Sequence, residues 1–340
     1  MVAGHYRTGK SDFIQTLFDT LKVHKLVTDD DAPVSKIFPE DVTFPTPSSC
    51  RIECDDAYQT DKISLQIIDC PGLDIPAGII KPHSQVGNQL DKVALDYANL
   101  LLEYIENQFR FRLAQENLVR RNPKAIDTQV HSCLYFLNPD VILGSKGLTR
   151  LDRIVLEKLC TRVNIVPCLA KSDLVTVRDL RLIRDYLYDD FHGMKIPIFN
   201  FRDEEDDEED QDSIDVASKV PFCIVNSEEL SNDGNQRVMG ILINDQKVLG
   251  REYIWGSIEV ENPDHCDFDL LVSVILGSHI DDLRISTREK FYELWRTENL
   301  TDGQVTLKLP EDLRSKVSQL TMDENNSIGS PHTPLSALEE

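Results

Sequence analysis

The chain has 340 residues, 41% of them hydrophobic, enough for one large packed domain or two small ones. With 59 acidic against 36 basic side chains the formal net charge is −23, which argues against a nucleic-acid grip through clustered Lys and Arg and against direct adhesion to an anionic bilayer. No apolar run reaches the ~20 residues of a membrane span, the N-terminus has no signal-peptide pattern, and the eight cysteines form no C-x-x-C pair, so reduced thiols in a cytoplasmic protein are expected.

In chain order, the first feature is Gly4-His5-Tyr6-Arg7-Thr8-Gly9-Lys10-Ser11, which fits G-x-x-x-x-G-K-[ST]. Only Met1-Val2-Ala3 stand before it; so short a central strand would leave sheet groups unpaired, and residues missing ahead of it are expected. A helix follows, with Phe13, Ile14, Leu17 and Leu21 at helical spacing. ISLQIID (63–69) alternates like a half-buried strand. A helix over about 91–112 carries Leu95, Leu102, Ile105, Phe109 and Leu113 on one face. VHSCLYFL (130–137) and VNIVPCLA (163–170) are nearly continuous apolar runs, as in central strands covered on both faces. Thr176 caps a helix with Asp179 in the reciprocal position and Leu180, Ile183 and Leu187 inward. PIFNF (197–201) and VPFCIVN (220–226) are short strand candidates. The run 202–215 holds ten acidic residues and is expected to be a solvated loop, serving solubility or docking a basic segment. The tail changes composition after about Leu300, carries two Ser/Thr-Pro pairs and is expected to be flexible; no heptads are sustained. Strands alternating with helices predict a mostly parallel α/β sheet with helices on both faces, its ligands bound at the carboxyl ends of the strands.

Three motifs sit at such strand ends. In the first, glycines let backbone N–H groups turn inward onto phosphate oxygens at a helix N-terminus, Lys10 reaches the β- and γ-phosphates, and Ser11 offers a hydroxyl to Mg²⁺. The second, Asp69-Cys70-Pro71-Gly72, is a D-x-x-G element: Asp69 can hold Mg²⁺ through water, and the Gly72 amide can sense a γ-phosphate. The third, Ala170-Lys171-Ser172-Asp173, resembles the guanine-reading [NAT]-K-x-D element, in which a carboxylate accepts from the base and a Lys stem lies on its face. Together, in this order, they predict a P-loop GTPase-like nucleotide-binding protein.

A narrower resemblance lies in GREYIWGSIEVENPDHCDF (250–268), which is similar to the unique element of septins. YIENQF (104–109), RRNP (120–123), DTQVHSCLYFLNP (127–139) and FYELWRTENL (291–300) also resemble septin stretches, so the likeness spans roughly residues 1–300. The resemblance implies a GTP-binding core over 1–244 with the acidic loop 202–215, a unique element and C-terminal helix over 245–300, and a flexible tail over 301–340. It further implies GTP or GDP with Mg²⁺, and hetero-oligomeric assembly with other septins into rods and filaments. Membrane association through partners follows, with a place at the cell cortex or division site, such as the bud neck, septum or prospore membrane of a fungus. By the same resemblance Gly4, Arg7, Thr8, Gly9, Lys10, Ser11, Asp12 and Gly72 line the phosphates. Ser11 and Asp69 serve the metal, and Lys171, Asp173, Val225, Asn226 and Arg251 contact guanine. Trp255 lies near the nucleotide face, with a plain core aromatic as the equal alternative.

Departures from the family pattern bear on catalysis. Arg7 stands where septins have glycine, at a cost if that position needs a positive φ. Asp12 replaces a threonine and puts a carboxylate near phosphates unless a cation such as Arg7 pairs with it. Cys70 replaces the threonine of D-T-P-G, Asn226 a glycine, and Lys146 a histidine that reaches across the nucleotide interface. Thr43 is the one candidate for the switch threonine between Phe38 and Ile52. These favour a nucleotide held for structure, with slow hydrolysis or a nucleotide-free site as the alternatives.

Overall fold

The computed structural model describes residues 1–21, 46–56, 59–74, 87–117, 127–201, 216–232, 237–243 and 246–301. Thr43, the RRNP stretch, the acidic run and the tail after 301 lie outside the described residues.

At the centre is a six-stranded sheet. β1 (Val2–Gly4) leads to α1 (Lys10–Thr20), followed by β2 (Thr46–Asp56), β3 (Gln59–Asp69), α2 (Gly87–Glu116), β4 (Ser132–Leu137), α3 (Pro139–Ser145) and α4 (Arg150–Leu159). After β5 (Asn164–Leu169) come α5 (Val177–Gly193), the short α6 (Val216–Lys219) and β6 (Phe222–Cys223). The strand order is β2-β3-β1-β4-β5-β6, parallel throughout except for β2, which runs antiparallel to β3. Three antiparallel pairs follow: β7 (Glu229–Asn232) with β8 (Arg237–Met239), β9 (Ile241–Ile243) with β10 (Gln246–Val248), and β11 (Gly250–Tyr253) with β12 (Gly256–Glu259). A helical run closes the described chain as α7 (Phe268–Ser273), α8 (Ile280–Ser286) and α9 (Glu293–Thr301), separated by π-helical turns at Val274–Ser278 and Thr287–Tyr292.

The apolar runs behave as central strands must. In β4, Cys133, Tyr135 and Leu137 face one core with α2, α4 and Trp295, while Leu134 and Phe136 face the other with α1, β6 and α7. That is the period-2 alternation of a strand buried on both sides. Short as it is, β1 is bonded on both flanks. Val2–Gly4 register with Leu134–Phe136, Val2 pairs with Asp69, and the Met1 carbonyl accepts from the Leu134 amide at 2.9 Å.

Two expectations are corrected. PIFNF is not a strand: Phe199 gives a single backbone bond to the Ile165 carbonyl, Pro197 has no amide to donate, and Cys168 and Leu169 of β5 pair with β6 instead. Its aromatics pack edge to face, with the Phe199 and Phe201 ring centroids 4.9 Å apart at 75°. The buried stripe of α2 holds at Ile105, Phe109 and Leu113, with Leu102 half-buried against the same core, and departs from the expectation at Leu95, which is exposed while Ala94, Tyr97, Ala98 and Leu101 are buried. α2 packs on α4.

Buried thiols add a pH dependence to this core. Burial pushes Cys133 up to about 11 and Cys223 up to about 12 from the ordinary 9.0, and raises Cys168 as well. The fold therefore binds these protons more tightly than the unfolded chain does. Their contribution is complete below pH ~9 and is lost as the pH rises toward the folded values. Urea midpoints should fall steadily between pH 9 and 11; a flat profile would mean the thiols are not buried as described.

Candidate functional site

The phosphate-loop motif forms the turn between β1 and α1. Gly4 ends the strand at φ 119°, and a Cβ built there would stand 2.3 Å from the Phe136 carbonyl oxygen, so only glycine fits. Arg7 takes φ 58°, so the left-handed position predicted to be costly for a non-glycine is indeed occupied by arginine. Its guanidinium lies over the exposed Tyr6 ring, 5.3 Å from the centroid. The Thr8 hydroxyl donates to the His5 carbonyl at 2.8 Å, and Gly9 caps α1 at φ 76°. Lys10 is buried, its ammonium donating to the His5 carbonyl at 2.6 Å and the Gly4 carbonyl at 3.4 Å. Burial pushes that ammonium down to about 8, opposed by the Asp69 carboxylate. Asp12 sits half-buried in the first turn of α1.

The D-x-x-G turn is pinned to this loop. The Leu73 amide donates to the Gly4 carbonyl and the Tyr6 amide to the Leu73 carbonyl, at 2.9 and 2.8 Å. A Cβ on Gly72 would stand 2.5 Å from Tyr6 Cα and 3.1 Å from Lys10 Nζ, so this position too needs glycine, here for close approach. The Tyr97 hydroxyl of α2 accepts from the Gly4 amide and donates to the Pro71 carbonyl, tying both turns to one helix. Ser11 and Asp69, the two residues expected to serve a metal, meet at 2.6 Å, the hydroxyl donating to Oδ2.

The base-end residues converge after β5 and β6. Lys171 takes the left-handed φ of 51° that starts the turn. The Asp173 side chain is fully buried, with Arg251 Nη1 3.6 Å from Oδ2 and the Tyr253 hydroxyl donating to the same oxygen. Asp173 Oδ1 and Ser172 Oγ are buried with no hydrogen-bond partner among the described residues. An acceptor left in that state normally marks a missing donor. Val225 is buried, and the Asn226 carboxamide reaches the phosphate loop, donating to the Gly9 carbonyl at 2.7 Å with its own Oδ1 buried and unpartnered. Trp255 is 71% exposed, which excludes the core-aromatic alternative; it stacks on Tyr253 at 4.8 Å and 6°. Lys146, also exposed, caps α3 at φ 56°.

His5 and its partners carry a role that spacing did not reveal. The Asn138 amide donates to His5 Nδ1 at 3.1 Å, which leaves the ring proton on Nε2 to bond Asp152 Oδ1 at 2.7 Å. Tyr135 donates to the same oxygen at 2.9 Å, while the Thr149 hydroxyl and amide take Oδ2 at 2.6 and 3.2 Å. Burial would raise the Asp152 carboxyl; the His5 ring and these donors outweigh it and hold the carboxyl below its ordinary 3.8. The one sequence signal was the T-x-x-D capping box at the start of α4, which places Asp152 as a helix cap and says nothing of His5.

A mostly parallel sheet with a glycine phosphate loop after β1, a D-x-x-G turn after β3 and a K-x-D turn after β5 defines an α/β P-loop GTPase-like protein. A family model described as Septin matches residues 1–308, and the chain belongs to the septin family. It is 32% identical over 319 residues to septin homolog spn3 of Schizosaccharomyces pombe, covering 90% of this chain and 74% of that one. To cell division control protein 11 of Saccharomyces cerevisiae it is 31% identical over 328 residues, covering 94% and 69%. A crystal structure of the septin GTPase domain from Chlamydomonas reinhardtii superposes with a TM-score of 0.59 at 22% identity, covering 87% of this chain and 96% of that one, a likeness of fold.

Proposed function

We propose that this chain is a septin subunit of the fungal kind, which binds a guanine nucleotide as a structural cofactor and assembles with other septins into rods and filaments. These filaments scaffold cytokinesis, septum formation or spore morphogenesis at the cell cortex or division site. The observation that carries the guanine reading is the buried Asp173 carboxylate with one oxygen lacking a donor, because guanine offers N–H groups there and adenine does not. In this reading Gly4, Thr8, Gly9, Lys10 and Gly72 take the phosphates, with Arg7 and Asp12 at the loop's rim. Ser11 and Asp69 hold Mg²⁺, which would supply charge neutralisation at the phosphates. Lys171, Val225, Asn226 and Arg251 complete the base end. The name of the Saccharomyces cerevisiae relative, cell division control protein 11, supports the division role.

The test is the nucleotide released when the purified protein is denatured. GTP is the expected result and means a nucleotide held without turnover. GDP favours a slow GTPase, and an empty site would sink the cofactor reading. Lys10→Ala should leave the chain nucleotide-free and poorly incorporated into filaments, measured by released nucleotide and co-sedimentation with partner septins.

A further inference from the structure

Asp173 can read guanine in two ways. A carboxylate with both oxygens open accepts from N1–H with one and from the N2 amine with the other, and so rejects hypoxanthine, which lacks that amine. Here the two oxygens are not equivalent. Oδ2 accepts from the Tyr253 hydroxyl and faces Arg251 Nη1 at 3.6 Å, whereas Oδ1 is buried with no partner among the described residues. Burial and the Asp173 carboxylate push the Tyr253 phenol up to about 12, so it keeps its proton and donates at neutral pH.

The donor is also held in place. Tyr253 ends β11, paired with Gly256 across the hairpin. One face of its ring stacks on Trp255 at 4.8 Å, and the Arg251 guanidinium stands 5.9 Å from the ring centroid. A ring flanked in this way has little freedom to swing its hydroxyl away from Asp173.

We infer that Tyr253 is a specificity-determining residue, which occupies Asp173 Oδ2 in place of the purine 2-amino group and leaves Oδ1 alone to read N1–H. This rests on the guanine-site reading above and narrows it. The chain then accepts guanine and hypoxanthine nucleotides nearly alike and still rejects adenine, whose N1 carries no hydrogen. Freeing Oδ2 restores the second contact; a hydrogen bond to a charged acceptor changes affinity by about 10- to 100-fold.

The experiment is competition of GDP, IDP and ADP against a fluorescent GDP analogue on the full chain stripped of nucleotide. Wild type should bind GDP and IDP within about threefold of each other and ADP far more weakly. Tyr253→Phe keeps the ring and its stack on Trp255, and should raise the GDP-over-IDP preference to about tenfold or more. A wild-type preference for GDP above about tenfold, or a Tyr253→Phe ratio equal to wild type, overturns the inference. Asp173→Ala separates it from the broader reading: loss of GDP and IDP alike is expected, because N1–H then has no acceptor. If Asp173→Ala leaves GDP affinity unchanged, the guanine site itself is misassigned, whatever Tyr253 does.

Discussion

Asp152→Ala should lower the unfolding free energy by about 3–5 kcal/mol, the usual cost of removing one partner from a buried charged cluster. The truncation deletes one fully buried carboxylate and strands four donors: His5 Nε2–H, the Tyr135 hydroxyl, and the Thr149 hydroxyl and amide. Two of these cannot turn to water, since His5 and Tyr135 are themselves buried. The damage reaches the phosphate loop because the His5 carbonyl is the main acceptor of the Lys10 ammonium. The effect has a pH signature. A carboxyl whose folded value lies below the ordinary 3.8 stabilises the fold above that pH and loses its contribution as the pH falls through the folded value. The gap between wild type and variant should therefore be full at pH 7 and narrow below pH ~4 in urea titrations. A pH-independent gap would mean the carboxylate was not the stabilising group.

Gly4→Ala should cost at least about 3 kcal/mol and abolish nucleotide retention, through strain at a φ that L side chains avoid together with a backbone collision. The new Cβ falls 2.3 Å from the Phe136 carbonyl oxygen, 2.6 Å from its amide nitrogen and 2.9 Å from its carbonyl carbon. All three belong to β4, so relief requires β1 and β4 to part at the centre of the sheet. Gly193→Ala is the control. It sits in the last turn of α5 with nothing within 4 Å of a built Cβ, and should be neutral or stabilising by about 0.4–1 kcal/mol. Thermal melts and released nucleotide on the two variants give the comparison; equal melting temperatures would remove the argument for Gly4.

Most of the architecture and the three motif turns were readable from local spacing, whereas the remaining candidate site residues came from the septin resemblance. The two-faced apolar runs of β4 and β5, the helix after Thr176 and the three strand-end turns all follow from residues within a few positions of each other. Where the reading failed, side-chain type misled it. Helical spacing counts Leu95 on the buried face of α2, yet it is exposed and its neighbour Ala94 is buried. PIFNF has strand composition, yet Cys168 and Leu169 of β5 pair with Phe222 and Cys223.

The sequence by itself determined the sheet class and the positions of the three motif turns, because each motif is a short-range pattern of backbone freedom and side-chain type, and it pointed to the septin family through its resemblance. Only the tertiary structure decided how those residues engage one another. His5 meets Asp152 across 147 positions, Asn226 meets Gly9 across 217, and Tyr253 meets Asp173 across 80. Such pairs carry no local period, since they are set by which strand ends the sheet order brings side by side. What singles them out is the cost of burying a polar group without a partner.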